Sequence, residues 1–260
     1  MQNLFSTVGR RSFDILYYIG GLTKLVMRSF SLAVTPPLKY GRVIDQIKKT
    51  GVESLGIVSL VALFMGIIMA LQTAYQMQRF GSEMYIASIV ALSLVRELGP
   101  VLTALVVAGR VGAAIAAEIG SMQVTEQVDA LETFAADPVK YLVVPRFLAL
   151  CIALPLLTIY ADIIGIFGGY FICINKLAIS STMYLRITFD FLFMKDLFTG
   201  LVKTVVFGMI IAFVSCFEGF KVKGGAEGVG RATMRAVVVS FILIIIADCF
   251  FTTLFYFVMH

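Results

Sequence analysis

Four charged residues lie inside long apolar stretches of the sequence, where a charge is energetically costly: Arg96, Glu97, Lys203 and Asp248. Insertion scales assign about 2.5–3.5 kcal/mol to each such charge near the centre of a membrane-spanning helix. Four of them together rival the net stability of a whole domain, roughly 5–15 kcal/mol, so they could not persist in isolation. Carboxylates and amines at such positions pair with one another or line a polar path for an ion or a substrate.

The positions of these residues along their apolar stretches predict a similar depth in the membrane. With a rise of 1.5 Å per residue, Glu97 lies about 17 Å from the end of its stretch, and Asp248 about 15 Å from the end of its own. Lys203 lies about 10–14 Å from the start of its stretch. With Arg96 beside Glu97, two positive and two negative charges balance. We expect the cluster to line a water-accessible substrate cavity, with a purely structural ion-pair network as the alternative.

The elements that must hold these charges are predicted to be membrane-spanning helices. Hydrophobic residues make up 60% of the 260 residues and charged residues 14%, whereas roughly a quarter of the residues are charged in a typical soluble domain. A chain of this size could not bury so much apolar surface in one core, so lipid must surround much of it. Apolar windows long enough to span a bilayer occur at residues 54–77, 86–117, 147–174, 197–217 and 236–258. Gly99-Pro100 predicts a kink or break in the second window, which is too long for one straight span.

The distribution of basic residues predicts the orientation of these five spans. Residues 1–51, 118–146 and 218–235 share one side of the membrane and contain fourteen lysines and arginines, whereas the other side has four. Short basic segments are retained in the cytoplasm. We therefore expect a cytoplasmic amino terminus and a carboxyl terminus on the outside.

The first 50 residues are predicted to form a segment of their own, followed by a five-span domain over residues 51–260. Aromatic and aliphatic residues recur there among basic ones, and Pro36-Pro37 divides the segment in two. A basic amphipathic helix in the headgroup layer of the anionic cytoplasmic leaflet fits this pattern better than a disordered tail.

The loop between the second and third spans is acidic, although it lies on the side that should be basic. Residues 118–146 hold five acidic residues against two basic ones. An apolar stripe at Val124, Val128, Leu131 and Ala135 has the spacing of an amphipathic helix, and Asp137-Pro138 suits the start of the next helix. Anionic lipid would repel the acidic face of the amphipathic helix. We expect it to dock on a protein partner through residues on and beside the stripe: Val124, Glu126, Gln127, Val128, Asp129, Leu131 and Glu132.

Enzymatic and metal-binding chemistry is not indicated. The single histidine is His260, and no two of the four cysteines have C-x-x-C spacing, which argues against a histidine-based metal site, Ser-His-Asp catalysis and a redox motif. Residues 225–232 read GAEGVGRA, a near miss to the phosphate-binding G-x-x-x-x-G-K-[ST] in which Arg231 and Ala232 replace the last two residues. We expect this chain to bind no cofactor or metal, to hydrolyse no ATP itself and to have no nucleic-acid partner.

One long run of residues is highly distinctive. It reads VRELGP…AGRVGAAIAAEIG…EQVDALE within residues 91–146, and it is followed by PLLTIYADIIGIFGG, LVKTVVFGMIIAFVSCFEGF and GVGRATMRAVVVS. These segments resemble the MlaE family of ABC-transporter permeases, and the likeness covers nearly everything after residue 50.

The resemblance implies a fold, a function and a set of partners. The fold is an all-α membrane protein with five transmembrane helices, an amino-terminal interfacial helix and a cytoplasmic coupling helix at about residues 122–135. The function is phospholipid transport between the inner and outer membranes of a diderm bacterium, by an inner-membrane homodimer that maintains outer-membrane lipid asymmetry. A separate cytoplasmic ATPase would bind ATP and Mg and dock on the coupling helix, together with a STAS-domain protein, while a hexameric ring of MCE-domain protein would sit on the outer face. The family's polar cluster matches Glu97, Lys203 and Asp248, with Arg96 adjacent.

Two alternatives belong to other classes. A proton-coupled secondary transporter with Glu97 or Asp248 as proton carrier would explain the buried acids, but not the acidic docking helix. An enzyme acting on lipid within the membrane would need a nucleophile and base or a set of metal ligands, which the sequence does not offer.

Overall fold

The computed structural model of the protein describes residues 2–35, 40–79, 81–177 and 179–259. The described chain is helical throughout apart from short turns. Five segments are long and apolar enough to cross a membrane: Tyr40–Gln78, Ile86–Val124, Val139–Leu177, Met194–Phe220 and Gly225–Phe257. The predicted all-α class and the five predicted spans are therefore confirmed. Each span is longer than its predicted window because the helix continues into polar residues at its ends.

The helices are numbered here in chain order. They are α1 (Gln2–Val34), α2 (Tyr40–Thr50), α3 (Leu55–Gln78), α4 (Ile86–Val124), α5 (Gln127–Thr133), α6 (Val139–Leu177), α7 (Ser181–Phe191), α8 (Met194–Phe220) and α9 (Gly225–Met259). A 3₁₀ turn, Val52–Ser54, joins α2 to α3 and makes them one continuous helical segment.

The second span, α4, is a continuous helix with two widened turns. Leu94–Leu98 and Ala108–Gly112 are π-helical, and the N–H of Gly99 bonds to the carbonyl of Leu94, five residues back. Pro100 has no N–H, and its ring crowds the preceding turn, so a wider turn relieves the conflict without ending the helix. The interruption expected at Gly99-Pro100 thus takes the form of a π-turn.

The predicted amphipathic helix over residues 122–135 is wrong in its extent. The helix α4 ends at Val124. Glu126 adopts a left-handed backbone conformation with φ 58°, and an α-helix cannot continue through such a residue. The second helix, α5, covers only Gln127–Thr133. Val124 therefore belongs to α4, and Ala135, at φ 55°, lies beyond the end of α5. The predicted start of the next helix is confirmed, because an oxygen of Asp137 accepts the N–H of Val139 at 2.9 Å.

The amino-terminal helix α1 packs along the bundle. Leu25 is buried, and Tyr18, Leu22 and Val26 contact the main hydrophobic core. The predicted division at Pro36-Pro37 lies outside the described residues, and the proposed unit boundary at residue 50 stays a prediction. Arg28 of α1 forms a 2.9 Å ion pair with Asp137, which precedes α6.

The ion pair between Arg110 and Glu53 identifies one end of the bundle. Arg110 of α4 pairs at 2.8 Å with Glu53, in the turn after α2, so the carboxyl-terminal half of α4 lies beside α2. We call this end, which also holds α5 and the turn between α8 and α9, the α2 end.

Glycines allow several spanning helices to touch through their backbones. A Cβ atom added at Gly66 of α3 would lie 1.8 Å from the carbonyl oxygen of Gly165 in α6, and one at Gly208 of α8 would lie 2.8 Å from that of Leu150. In lipid no hydrophobic driving force brings helices together, so close packing of their backbones is a usual source of helix association.

The short helix α7, between the third and fourth spans, was not predicted. Tyr184 and Thr188 form its buried face, one turn apart, while Phe189 is exposed. A mixed polar and aromatic pattern of 11 residues is far below the length of a span, so a search for apolar windows passes over it.

Candidate functional site: a charged cluster within the spanning helices

The π-turn in α4 creates the polar surroundings of the cluster. In a regular α-helix the N–H of residue 100 would donate a hydrogen bond to the carbonyl of Arg96. Pro100 has no N–H and cannot make this bond. The ammonium of Lys203, on α8, donates to that carbonyl at 3.3 Å. Gly200 makes this approach possible, since a Cβ there would lie 2.5 Å from the carbonyl oxygen of Val95.

Lys203 is the centre of the cluster and is almost fully buried. Its ammonium lies 2.7 Å from the Glu97 carboxylate and 2.7 Å from the Thr252 hydroxyl, so with the Arg96 carbonyl its three hydrogens are all used. Asp248 of α9 lies 3.0 Å away and contributes by charge rather than by a hydrogen bond. The cluster therefore ties α4, α8 and α9 together, and its members are called the Lys203 cluster below: Glu97, Lys203, Asp248 and Thr252.

Thr252 is a member that the sequence analysis missed. Its hydroxyl accepts from Lys203 and is 3.1 Å from both carboxylate oxygens of Glu97, to which it donates. A threonine in an apolar helix carries little cost because it can bond to its own backbone. Nothing in the one-dimensional sequence separates Thr252 from the neighbouring Thr253, which bonds to the Cys249 carbonyl.

The predicted balance of two positive and two negative charges is wrong. Arg96 directs its side chain away from Lys203 and donates from Nε to Asp196 at 2.7 Å. Asp196 is buried and also accepts the N–H of Phe193 at 3.1 Å, which caps the start of α8. The prediction overlooked Asp196 because it began the fourth span at residue 197. Lys203 thus faces two carboxylates, and Arg96 and Asp196 form a second ion pair.

Three members of the Lys203 cluster, Glu97, Lys203 and Thr252, line one cavity of about 270 Å³ together with the Arg96–Asp196 pair. Its lining includes charged groups, with the Arg96 side chain 53% exposed and that of Glu97 41% exposed. It also includes three aromatic side chains: Phe193, Phe255 and Tyr256. A concave apolar site with a few convergent polar groups is the usual form of a small-molecule binding site.

The predicted docking residues lie together at the α2 end. Val128 of α5 is buried against the bundle and Leu131 is half-buried. The remaining residues of the set are exposed, Val124 at the end of α4 and the polar ones around α5: Glu126, Gln127, Asp129 and Glu132. Among the described side chains, none of the three carboxylates in this set forms an ion pair. The α5 loop thus presents an acidic surface held by an apolar anchor.

A bundle of five spanning helices with buried ion pairs around an aromatic cavity defines the chain as a polytopic membrane transport protein. Residues 43–254 match the family model described as Permease MlaE. The chain belongs to the MlaE permease family.

Named relatives extend over nearly the whole chain. A probable ABC transporter permease protein of Rickettsia felis is 47% identical over 256 residues, which cover 98% of this chain and 99% of the relative. The intermembrane phospholipid transport system permease protein MlaE of Haemophilus influenzae is 32% identical over 97% of each chain. The chloroplastic protein TRIGALACTOSYLDIACYLGLYCEROL 1 of Arabidopsis thaliana is 39% identical over 82% of this chain and 61% of its own length.

Proposed function

We propose that this chain is the permease subunit of an ABC transporter that moves phospholipids between the inner and outer membranes and thereby maintains outer-membrane lipid asymmetry. The observation that carries the proposal is a cavity within the spanning helices that both charged and aromatic side chains line. A phospholipid likewise combines a charged headgroup with an apolar body. The names of the relatives support ATP-driven phospholipid transport over the proton-coupled alternative.

The cavity suggests how a lipid would be held. Arg96 is half-exposed and its guanidinium can bind a phosphate oxygen through two N–H groups. Lys195 adds a second positive charge to the lining. A lipid phosphate would then compete with Asp196 for Arg96, while Phe193 and Phe255 contact the glycerol and acyl region. In this role Lys203 is a positioning residue, since it holds the three helices that form the wall.

The remaining partners form part of the same proposal. A second copy of the chain would complete the transport path, and a cytoplasmic ATPase that binds ATP and Mg would dock on the acidic surface around α5. A STAS-domain protein would accompany the ATPase, and a hexameric MCE-domain ring would cover the opposite end. The chain would lie in the bacterial inner membrane with the α2 end in the cytoplasm. Within the described residues, Glu126, Asp129 and Glu132 form no ion pair, and this exposed acidic surface supports the ATPase site.

The test is transport by the purified complex in vesicles that have no ion gradient. We expect ATP-dependent movement of a fluorescent phospholipid, unaffected by a protonophore. Arg96→Gln should reduce the rate at least tenfold, because it removes the charged phosphate contact. Arg186→Gln is the matched control, since Arg186 is exposed on α7, outside the cavity lining, and pairs with Asp190 at 3.6 Å. Transport that needs a proton gradient, or equal rates for both variants, would contradict the proposal.

A further inference from the structure

A second polar recess lies at the α2 end, between α2, α4 and α6. Two adjoining cavities of about 510 and 290 Å³ share Gln46, Lys49, Glu53 and Glu118 in their linings. Glu118 is 21 residues beyond Glu97 on α4, which corresponds to about 30 Å of helix. The recess is therefore separate from the Lys203 cluster and its cavity.

Two of the acidic residues in this recess are already neutralised. Glu53 pairs with Arg110 and Glu118 with Arg146, each at 2.8 Å. Arg146 is 5% exposed, donates to the Leu142 carbonyl at 2.7 Å, and keeps its Nε without a hydrogen-bond partner. Each ion pair is neutral overall, so these four residues add no net charge to the recess.

Three further cations on or beside α2 have no such neutralisation. Among the described side chains, Arg42, Lys48 and Lys49 form no ion pair. Arg42 stacks over the ring of Tyr141 at 3.3 Å, which fixes its guanidinium plane and leaves its edge donors available. Asp45 is the one acidic residue in the described lining of the larger cavity without a cationic partner. The three positive charges outnumber the one negative charge and repel one another. A bound anion would reduce this repulsion.

We propose that this recess binds the phosphate of an anionic phospholipid of the adjacent leaflet, through Arg42, Lys48 and Lys49. Basic pockets between spanning helices at the membrane boundary suit phospholipid headgroups. Exposed apolar side chains on the same helical segment favour a lipid over a protein segment, because Ile44 and Val52 are 64% and 58% exposed and offer apolar surface to lipid. This inference goes beyond the proposed function: the lipid is a bound component held by α2 at the recess, and it need not be transported.

The test uses the full chain in neutral detergent micelles with added lipid. Phosphatidylglycerol should bind with at least tenfold higher affinity than phosphatidylcholine in native mass spectrometry, and it should raise the melting temperature. Lys48→Gln/Lys49→Gln and, separately, Arg42→Gln should each remove most of this preference. The matched control is Lys24→Gln/Lys223→Gln, which removes two exposed lysines that do not line the recess.

The outcomes separate the possible sources of the anion. Loss of the preference in the α2 variants, with retention in the control pair, would support the proposal. An equal loss in both double variants would show diffuse surface attraction and overturn it. The same rise in melting temperature with inorganic phosphate alone would assign the site to a free anion and overturn the lipid assignment. Displacement of phosphatidylglycerol by the partner ATPase would assign the recess to a protein and overturn it as well.

Discussion

At the scale of single residues, the cluster depends on a proline that removes a hydrogen bond. Pro100 frees the Arg96 carbonyl from its helical donor, and Lys203 uses that carbonyl together with Glu97 and Thr252. A buried ammonium is stable only when its hydrogens are paired and its charge is compensated. The backbone of α4 therefore takes part in holding the one buried cation of the cluster.

The Lys203 variants distinguish a structural role from a transport role. Lys203→Ala should lower the melting temperature by several degrees, because breaking a buried ion pair by removing one partner costs about 3–5 kcal/mol. Adding Asp248→Asn relieves one of the two uncompensated carboxylates and should restore most of the stability. We expect the double variant to fold and yet transport lipid poorly, since α4, α8 and α9 are no longer tied at the cavity wall. Thermal stability in detergent and lipid transfer in vesicles are the two measurements; full recovery of transport would leave the cluster a purely structural role.

The residues that sequence reasoning found and missed differ in a physical way. Glu97, Lys203 and Asp248 stand out because a charge in an apolar window is costly wherever it points. The partner of each charge depends on side-chain direction, which the depth argument does not contain. The sequence therefore groups Arg96 with Lys203, although Arg96 pairs with Asp196. Asp196 lies one residue before the predicted span and is assigned to the loop.

At the scale of elements, helices were easier to predict than the ways in which they end. Long apolar windows determine α3, α4, α6, α8 and α9 because only a helix can satisfy the backbone inside a bilayer. The left-handed Glu126 and the two π-turns of α4 arise from local crowding and packing, for which the hydrophobic pattern carries no signal. The docking helix was consequently predicted as one unit when it is the end of α4 and a separate α5.

Gly200 allows α8 to pack closely against the π-turn Leu94–Leu98 of α4. Gly200→Ala should destabilise the protein by about 1–3 kcal/mol, because its Cβ would lie 2.5 Å from the Val95 carbonyl oxygen and overpacking forces the backbones apart. Gly230→Ala on α9 is the control: no atom would meet its Cβ within 4 Å, so the same exchange should be neutral or stabilising by up to about 1 kcal/mol. Melting temperatures of the two variants test this, and similar values would mean that the contact is not needed.

The acidic surface around α5 is expected to bind the partner ATPase. Replacing Glu126, Asp129 and Glu132 by lysine should abolish co-purification of the ATPase, because the charge of the surface is reversed. The permease should keep its melting temperature, since all three side chains are exposed and unpaired within the described chain. Asp190→Lys on α7, at the opposite end of the bundle, is the exposed acidic control. Full retention of the ATPase by the triple variant would contradict this role.

At the scale of the whole molecule, the contacts between segments agree on which parts lie together. Arg28 of α1 reaches Asp137, and Lys221 after α8 lies 4.7 Å from the ring centre of Tyr18 and 4.2 Å from that of Phe217. The amino-terminal helix and both loops predicted to be cytoplasmic thus share the α2 end. The structure determines this grouping, and the side of the membrane that it faces remains a prediction from charge.

The orientation follows from the fourteen-to-four distribution of basic residues. Moving lysines and arginines across the bilayer is opposed during insertion, so the side with fourteen should stay in the cytoplasm. With five spans, the two termini then face opposite sides. Alkaline phosphatase, which is active only outside the cytoplasm, should be active when it is fused after His260 and inactive when it is fused after Lys223. A fusion after Asp190, in α7, should be active because α7 lies on the same side as the carboxyl terminus. Activity at Lys223 with none at His260 would reverse the orientation and move the proposed ATPase surface to the wrong side of the membrane.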